Sequence, residues 1–183
     1  YKEGGLQTTG NPWGYQNQIN RLEDWVKVAK IFQGRAGTSI GLQLSHINHN
    51  QDANYGTRVY TGLQNSFYAN LIFQTYIRNT NNIIKIGASE MLDNYQEQFI
   101  GTNYNRSEQV PGAFAEYAYN YLDKFNVVAG LRGDHNSIYG GFLTPRLHVR
   151  YAPFKKTVVR ASVGRAQRTA NIFAENMGFM AGN

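Results

Sequence analysis

The sequence contains no cysteine and no long apolar run. The absence of cysteine excludes a cysteine nucleophile and suits an oxidising compartment. The longest apolar stretches, such as residues 127–131, fall far short of the roughly 20 residues that a transmembrane helix needs. If this chain meets the core of a bilayer, it must therefore do so as a β-barrel, whose strands satisfy one another's backbone polar groups.

Acidic residues are scarce as well. The sequence has 12 Asp and Glu residues and 18 Lys and Arg residues, which gives a formal net charge of +6. Such a balance would ordinarily raise nucleic acid as a partner. The cations are spread over alternating positions rather than clustered, and no nucleic-acid-binding module is present. We therefore expect no nucleic-acid partner.

Catalytic motifs are missing too, since the chain has no Gly-x-Ser-x-Gly elbow and no glycine loop of the kind that cradles phosphate. Asp134 and His135 are neighbours on a predicted strand and should point to opposite faces. His46, His49 and Asp52 lie close in sequence but lack a recognised ligand spacing. We expect no enzyme, no metal site and no cofactor.

What the sequence does contain is strict alternation, clearest in the hairpin of residues 146–163. Leu147, Val149 and Tyr151 alternate with Arg146, His148 and Arg150. After a short turn at Pro153–Lys156, Val159, Ala161 and Val163 alternate with Arg160 and Ser162. This period of two is typical of strands whose two faces see different surroundings.

Similar alternation predicts eight strands in all. The six that precede the hairpin are expected at residues 22–32, 39–45, 57–78, 83–92, 113–121 and 125–134. Short turns are expected at Gln33–Gly37, Asn79–Asn82, Leu122–Lys124 and Pro153–Lys156. Longer loops are expected at Tyr1–Asn20, His49–Gly56, Asp93–Val110, His135–Gly141 and after Arg168. Short turns at one rim and long loops at the other are typical of outer-membrane barrels.

Several segments resemble the late barrel of TonB-dependent outer-membrane receptors. They are Pro145–Tyr151, Arg160–Thr169, Asn171–Asn176, Val110–Tyr117 and Val128–Asp134. The sequence departs from the usual pattern at Ala166 and Gln167, where a glycine and an aromatic residue are common, and at Ala170, where many relatives carry proline. The resemblance implies an all-β fold, namely an antiparallel up-and-down transmembrane β-barrel segment of about eight strands from a larger barrel.

The same resemblance implies a function. The parent protein would lie in the outer membrane of a Gram-negative cell and import a scarce nutrient such as an iron chelate, a vitamin or a glycan. Its partners would be outer-membrane lipid, a plug domain of the same parent chain and, through the plug, TonB. Residues 1–183 would then be a partial barrel domain that lacks the plug and the remaining strands, because neither a secretion leader nor a closing aromatic strand is recognisable.

Charge on the predicted lumen face is unbalanced. The cations there are Arg78, Lys85, Arg132, Arg146, Arg150 and Arg160, and the acids are Glu116 and Asp134. Unpaired charge is costly to bury, so we expect these cations to line a water-filled lumen or to meet acids of the plug. Tyr117, Tyr119 and Tyr121 share the register of apolar residues and are expected to face lipid as an aromatic girdle.

Ligand contacts are expected from loops and from the lumen wall, because loops on a rigid scaffold commonly carry binding. The candidates are Tyr95, Phe99, Tyr104, Arg132, Asp134, Arg146, Arg150, Arg160 and Phe173.

Three alternatives remain open. The chain could be a complete eight-stranded outer-membrane barrel with an adhesive or structural role, although the interior charges of so narrow a barrel should balance. It could be a soluble β-sandwich that binds a ligand and hides its apolar face in a core. An outer-membrane hydrolase would require Asp134 or His135 to meet another polar residue.

Overall fold

The fold of the protein is taken from a computed structural model that describes residues 14–122, 124–154, 156–170 and 173. Within these residues, nine strands form one sheet. In chain order they are β1 Tyr15–Ile31, β2 Ser39–Tyr55, β3 Arg58–Ile77, β4 Asn79–Phe99, β5 Thr102–Asn103, β6 Arg106–Tyr121, β7 Phe125–Asn136, β8 Gly140–Phe154 and β9 Thr157–Gly164.

The sheet is antiparallel and follows the order of the chain from β1 to β9. The two-residue strand β5 pairs only with β4, so that β6 continues the sheet as the second neighbour of β4. No pairing joins β1 to β9 among the described residues, and the sheet is open there. The up-and-down antiparallel architecture expected from the sequence is thus confirmed.

The two faces of the sheet differ in chemistry. The face that we call the outer face carries apolar side chains in register across the strands, as in the row Leu42, Leu71, Ala88 and Ala113. Many of its large side chains are exposed, with Leu143 at 56%. The opposite face, here the inner face, holds the buried acids Asp93, Glu97, Glu108 and Asp134. A sheet that exposes its apolar side needs a solvent other than water on that side.

The tyrosine stripe lies on the outer face. Tyr117 is opposite Ala129, and Tyr119 is opposite Val127. The rings of Tyr119 and Tyr121 stack with their centroids 6.5 Å apart. This placement agrees with the expected aromatic girdle, since aromatic rings at a membrane boundary present an apolar body and a polar tip.

The prediction of long loops is wrong, because the hydrogen-bond ladder between the strands continues through these segments. β2 runs to Tyr55, β4 runs to Phe99 and β6 begins at Arg106, so most of His49–Gly56 and Asp93–Val110 is strand. Only Ser137–Tyr139 connect β7 to β8 within the expected loop His135–Gly141. These segments carry polar residues on both faces. They therefore lack the alternation of apolar and polar residues from which strands are predicted, although their backbone still pairs.

The turns also differ from expectation. A single residue, Arg78, joins β3 to β4 with a φ of 64°, so it belongs to a turn and not to the lumen face. Residues 79–82, expected to form that turn, already belong to β4. At the start of the chain, Tyr15–Asn20 form part of β1 rather than a loop, and residues 1–13 lie outside the described part of the chain.

The apolar part of the outer face covers only a portion of the longer strands. Beyond Phe67 and Leu92 the outer face turns polar, with Asn65 and Asn94 in the next row. β3 has 20 residues and so extends about 65 Å at roughly 3.3 Å per residue. A membrane strand needs only ~10 residues. The surplus length forms a polar wall beyond the apolar band. No helix in the described residues is long and apolar enough to cross a membrane.

Substitutions at two adjacent residues of β8 test the assignment of the faces. Leu147 lies on the outer face, between Ala129 and Val163, and His148 lies on the inner face. We expect Leu147→Arg to destabilise the protein folded in lipid vesicles by about 2–4 kcal/mol, because a cation there enters hydrocarbon. His148→Arg should change it little. Equal effects of the two substitutions on the folding yield in vesicles would refute the assignment.

Candidate ligand-binding site

Three successive rows of the inner face assemble a polar site across β4, β6, β7 and β8. The register places Ser89, Gly112 and Asp134 in one row. The next row holds Phe114, Arg132 and Thr144, and the third holds Lys85, Glu116, Gly130 and Arg146. Because cross-strand neighbours lie about 5 Å apart, these side chains meet without help from any loop.

Arg132 is the centre of the upper two rows. Its guanidinium donates to both carboxylate oxygens of Asp134, at 2.8 Å from Nε and 2.6 Å from Nη2. Nη2 also donates to Ser89 Oγ at 2.6 Å. Asp134 is buried, while about a third of the Arg132 side chain stays exposed. This two-point pairing fixes the plane of the guanidinium against the wall.

Gly112 makes that arrangement possible. It stands between Ser89 and Asp134 in the row, and a Cβ at this position would lie 2.1 Å from Asp134 Oδ1 and 2.8 Å from Arg132 Nη2. Any larger residue would therefore displace the ion pair. The absence of a side chain lets Arg132 reach across β6 to Ser89 on β4.

Gly130 has the same role in the third row. Arg146 on β8 passes over Gly130 and donates through Nη2 to Glu116 Oε2 on β6. A Cβ at Gly130 would lie 2.9 Å from Arg146 Nε. Glu116 also accepts from Lys85 Nζ at 3.2 Å through its other oxygen. One carboxylate is thus shared by two cations.

A cleft of about 430 Å³ opens beside these residues. We call it the arginine cleft. Its walls include Arg132, Arg146, Phe114 and Phe142, and residues 165–167 line it after the end of β9. The backbone N–H of Arg165 donates to Pro145 O at 3.0 Å, which holds this segment against β8. A cleft of this volume suits a small molecule or part of a larger one.

A second cluster, the rim network, lies on the inner face of the polar wall. Arg106 donates to Glu108 Oε1 at 3.0 Å and lies 3.7 Å from Glu97 Oε2. The guanidinium also lies over the Tyr95 ring at 3.9 Å from its centroid. Both glutamates are almost fully buried. Arg106 therefore contacts two buried carboxylates, and Asn136 Nδ2 donates a hydrogen bond to Glu108 Oε2 at 3.1 Å.

Tyr60 completes the rim network by donating to Glu97 Oε1 at 2.9 Å. Burial raises the pKa of the Tyr60 hydroxyl, and the adjacent Glu97 carboxylate raises it further. Burial likewise raises the pKa of Tyr95. Both hydroxyls therefore stay protonated at neutral pH, which allows Tyr60 to donate to the Glu97 carboxylate.

The aromatic candidates meet at the same rim. Phe173 is buried and its ring centroid lies 5.3 Å from Tyr60, 6.0 Å from Phe99 and 5.0 Å from Tyr104. Thr169 Oγ1 accepts from Asn136 Nδ2 at 3.4 Å. The segment after β9 is thereby anchored to the inner face at two points beyond the arginine cleft.

The structure groups the nine predicted site residues unevenly. Arg132, Asp134 and Arg146 line the arginine cleft, Tyr95 lies in the rim network, and Phe99, Tyr104 and Phe173 form the aromatic group. Arg150 and Arg160 face each other across β8 and β9, outside the residues that line the cleft. A ligand role for each of the nine stays a prediction.

Sequence reasoning missed Arg106, Glu97, Glu108 and Arg165. The first three fall in the segment interpreted as a loop, and a signal was present in the pairs Arg106 with Glu108 and Arg132 with Asp134. Residues two apart on a strand share a face. The inner face also carries Asp93, Glu97 and Glu108, so the count of six cations against two acids was wrong. The objection that this count raised against a complete small barrel is correspondingly weaker.

The other polar residues singled out by the sequence do not converge. β2 places His49 on the inner face, opposite Gln64, and places His46 and Asp52 on the outer face. On β7, Asp134 faces inward and is buried, whereas His135 is exposed on the outer face. No group of three potential metal ligands occurs in the described ranges.

Residues 3–183 match the family model described as TonB dependent receptor-like, beta-barrel. No curated protein matches the chain significantly.

The rim network yields a stability prediction. Arg106→Met removes the cation that contacts both buried carboxylates, Glu97 and Glu108, which should lower the free energy of unfolding by about 3–5 kcal/mol. Arg21→Met is the matched control, because Arg21 pairs with Glu23 at an exposed site and such pairs contribute about 0–1 kcal/mol. Urea unfolding of the membrane-inserted protein, followed by tryptophan fluorescence, measures both. Equal stability of the two variants would contradict the network's role.

Proposed function

The chain belongs to the TonB-dependent receptor β-barrel family, and on this premise we propose that it is barrel wall of a receptor that imports a scarce nutrient. The family serves reception and transport at the outer membrane. In more detail, we propose that the nutrient is an iron chelate, a vitamin or a glycan. We also propose that the nutrient contacts the inner face of the sheet.

The main support is the sheet with two different faces. Its outer face exposes a continuous apolar band, and its inner face concentrates ion pairs, hydrogen bonds and two clefts that lie next to the segment after β9. A wall with lipid on one side and water on the other explains both features together. In this proposal, residues of the chain bind the nutrient and do not catalyse a reaction.

We propose that the inner face also meets a plug domain of the same parent chain, through which TonB would deliver energy. Residues 1–183 are then part of the barrel domain. Charged side chains such as Arg132, Asp134, Glu116 and Arg146 line this face, and polar and charged groups of a plug would meet them there.

The polar wall indicates an orientation. It carries the rim network, the aromatic group and the turns at residues 56–57, 100–101 and 137–139. The connections from β1 to β2, from β3 to β4, from β6 to β7 and from β8 to β9 lie close to the apolar band. We propose that the polar wall stands outside the cell, where an incoming nutrient first meets the protein.

A complete eight-stranded barrel is a weaker candidate, because β1 and β9 do not pair with each other in the described residues. A soluble β-sandwich is disfavoured by the exposure of the apolar face, since a sandwich covers that face with a second sheet.

Uptake by living cells tests the proposal. Deletion of the gene should reduce uptake of one labelled nutrient among iron chelates, vitamins and oligosaccharides to background, and the intact gene should restore it. Collapse of the proton gradient across the inner membrane should have the same effect on cells that carry the intact gene, because import of this type draws its energy there. Unchanged uptake of every labelled nutrient in the deletion strain would overturn the proposal.

A further inference from the structure

We propose that a cleft on the outer face of the polar wall binds the neutral sugar headgroup of a membrane glycolipid beside the barrel. This inference rests on the proposed function, in which the polar wall stands outside the cell. It adds a binding site on the face that the imported nutrient does not meet. The observations behind it are the position of the cleft, the charge of its walls and the state of its amide groups.

The cleft lies where β3, β4 and β5 pair, and its volume is about 350 Å³. We call it the amide cleft. The strand register places two rows of outer-face side chains in it, namely Asn50, Leu63 and Gln96 in one row and Thr61, Gln98 and Asn103 in the next. The volume falls within the range of small-molecule sites, which is roughly 300–1,000 Å³.

The height of the cleft above the apolar band selects the kind of lipid that can reach it. Leu63 lies four residues beyond Phe67, where the band ends on β3. At about 3.3 Å per residue and a tilt of about 45°, this separation is roughly 9 Å along the membrane normal. Phospholipid headgroups occupy only about 5–8 Å beyond the hydrocarbon core. A lipid that packs on the band therefore reaches the cleft only with a longer headgroup, such as the sugar chain of a glycolipid.

The walls of the amide cleft are neutral. Among the described residues, no lysine, arginine or histidine lines the cleft. Glu97 borders it, but the Glu97 carboxylate lies on the inner face, where it accepts from the Tyr60 hydroxyl at 2.9 Å. Asp52 is opposite Thr61 on β2 and is not among the lining residues. A phosphate or carboxylate would find no cation there, so the cleft suits an uncharged polar ligand.

The amide groups of the cleft keep most of their hydrogen-bonding capacity. Asn105 Oδ1 accepts from the backbone N–H of Glu97 at 3.2 Å, which leaves the Asn105 amide hydrogens free to donate. Gln96, Gln98 and Asn103 are exposed and form no side-chain hydrogen bond with another described residue. Each amide combines two donors with an acceptor oxygen, and sugar hydroxyls likewise both donate and accept. A neutral sugar therefore matches these walls.

Calorimetric titration of the full-length receptor in detergent tests the assignment. Glycolipid extracted from the outer membrane of the same cells and split by mild acid gives three probes: the whole glycolipid, its released oligosaccharide and its lipid part. We expect the whole glycolipid and the oligosaccharide to bind, and the lipid part to bind more weakly than the whole glycolipid. Because the cleft is neutral, the affinity for the oligosaccharide should not change between low and high salt.

Two substitutions remove amides from the cleft and keep the length of the side chain. Gln96→Met and Gln98→Met should each weaken binding of the oligosaccharide about 3- to 10-fold, as expected for the loss of neutral hydrogen bonds. Gln109→Met is the matched control, because Gln109 is exposed on the same face, opposite Leu92, and does not line the cleft. It should leave the affinity unchanged.

Three results would overturn the inference: no binding of the oligosaccharide, equal weakening by Gln98→Met and Gln109→Met, or an affinity that falls steeply with salt. The last would assign recognition to phosphate groups of the glycolipid. A receptor dimer that Gln98→Met dissociates would also overturn it and assign the cleft to a second copy of the chain.

The outcome for the proposed function is separate, because Gln98→Met lies outside the path of the nutrient and should retain uptake in the deletion strain. Oligosaccharide binding without uptake of any nutrient would support the amide cleft and remove the transport role. Uptake without oligosaccharide binding would keep the transport role and remove the cleft.

Discussion

The antiparallel hydrogen-bond ladder is the constraint on which the rest of the structure depends. It satisfies the backbone along seven successive strand pairings and sends consecutive side chains to opposite faces. One face can then be apolar while the other carries charge, as Leu147 and His148 show at adjacent positions. Because neither face has to pack against a second layer of protein, a single sheet can separate lipid from water.

On the inner face, the same ladder brings charged residues together without loops. Arg132 and Arg146 each reach across a glycine to a partner on another strand, and the glycine is required because a Cβ would occupy the path. The ion pairs are thus consequences of register. The exception is Arg165, which follows the last strand and joins the cleft through the backbone contact with Pro145.

The sequence predicted the alternation of β8 and β9, the outward tyrosine stripe and the placement of Arg132 and Asp134, because each depends on periodicity within one strand. It failed over Asp93–Val110, where polar residues on both faces conceal strands that the backbone still forms. It could not reveal that residues 165–167 line the same cleft as Arg132, because the path of the chain after β9 is set by tertiary packing. The sequence also could not reveal the roles of Gly112 and Gly130, because these depend on which side chains lie opposite them in the sheet.

The most direct measurement of the two-face account is a single-cysteine scan of residues 143–151 in the membrane-inserted protein. The chain has no cysteine of its own, so each labelled position reports alone. Reaction with a water-soluble maleimide should be fast at positions 144, 146, 148 and 150 and slow at 143, 145, 147, 149 and 151, and a quencher dissolved in the lipid should show the reverse order. Uniform reactivity along β8, without a period of two, would contradict the account.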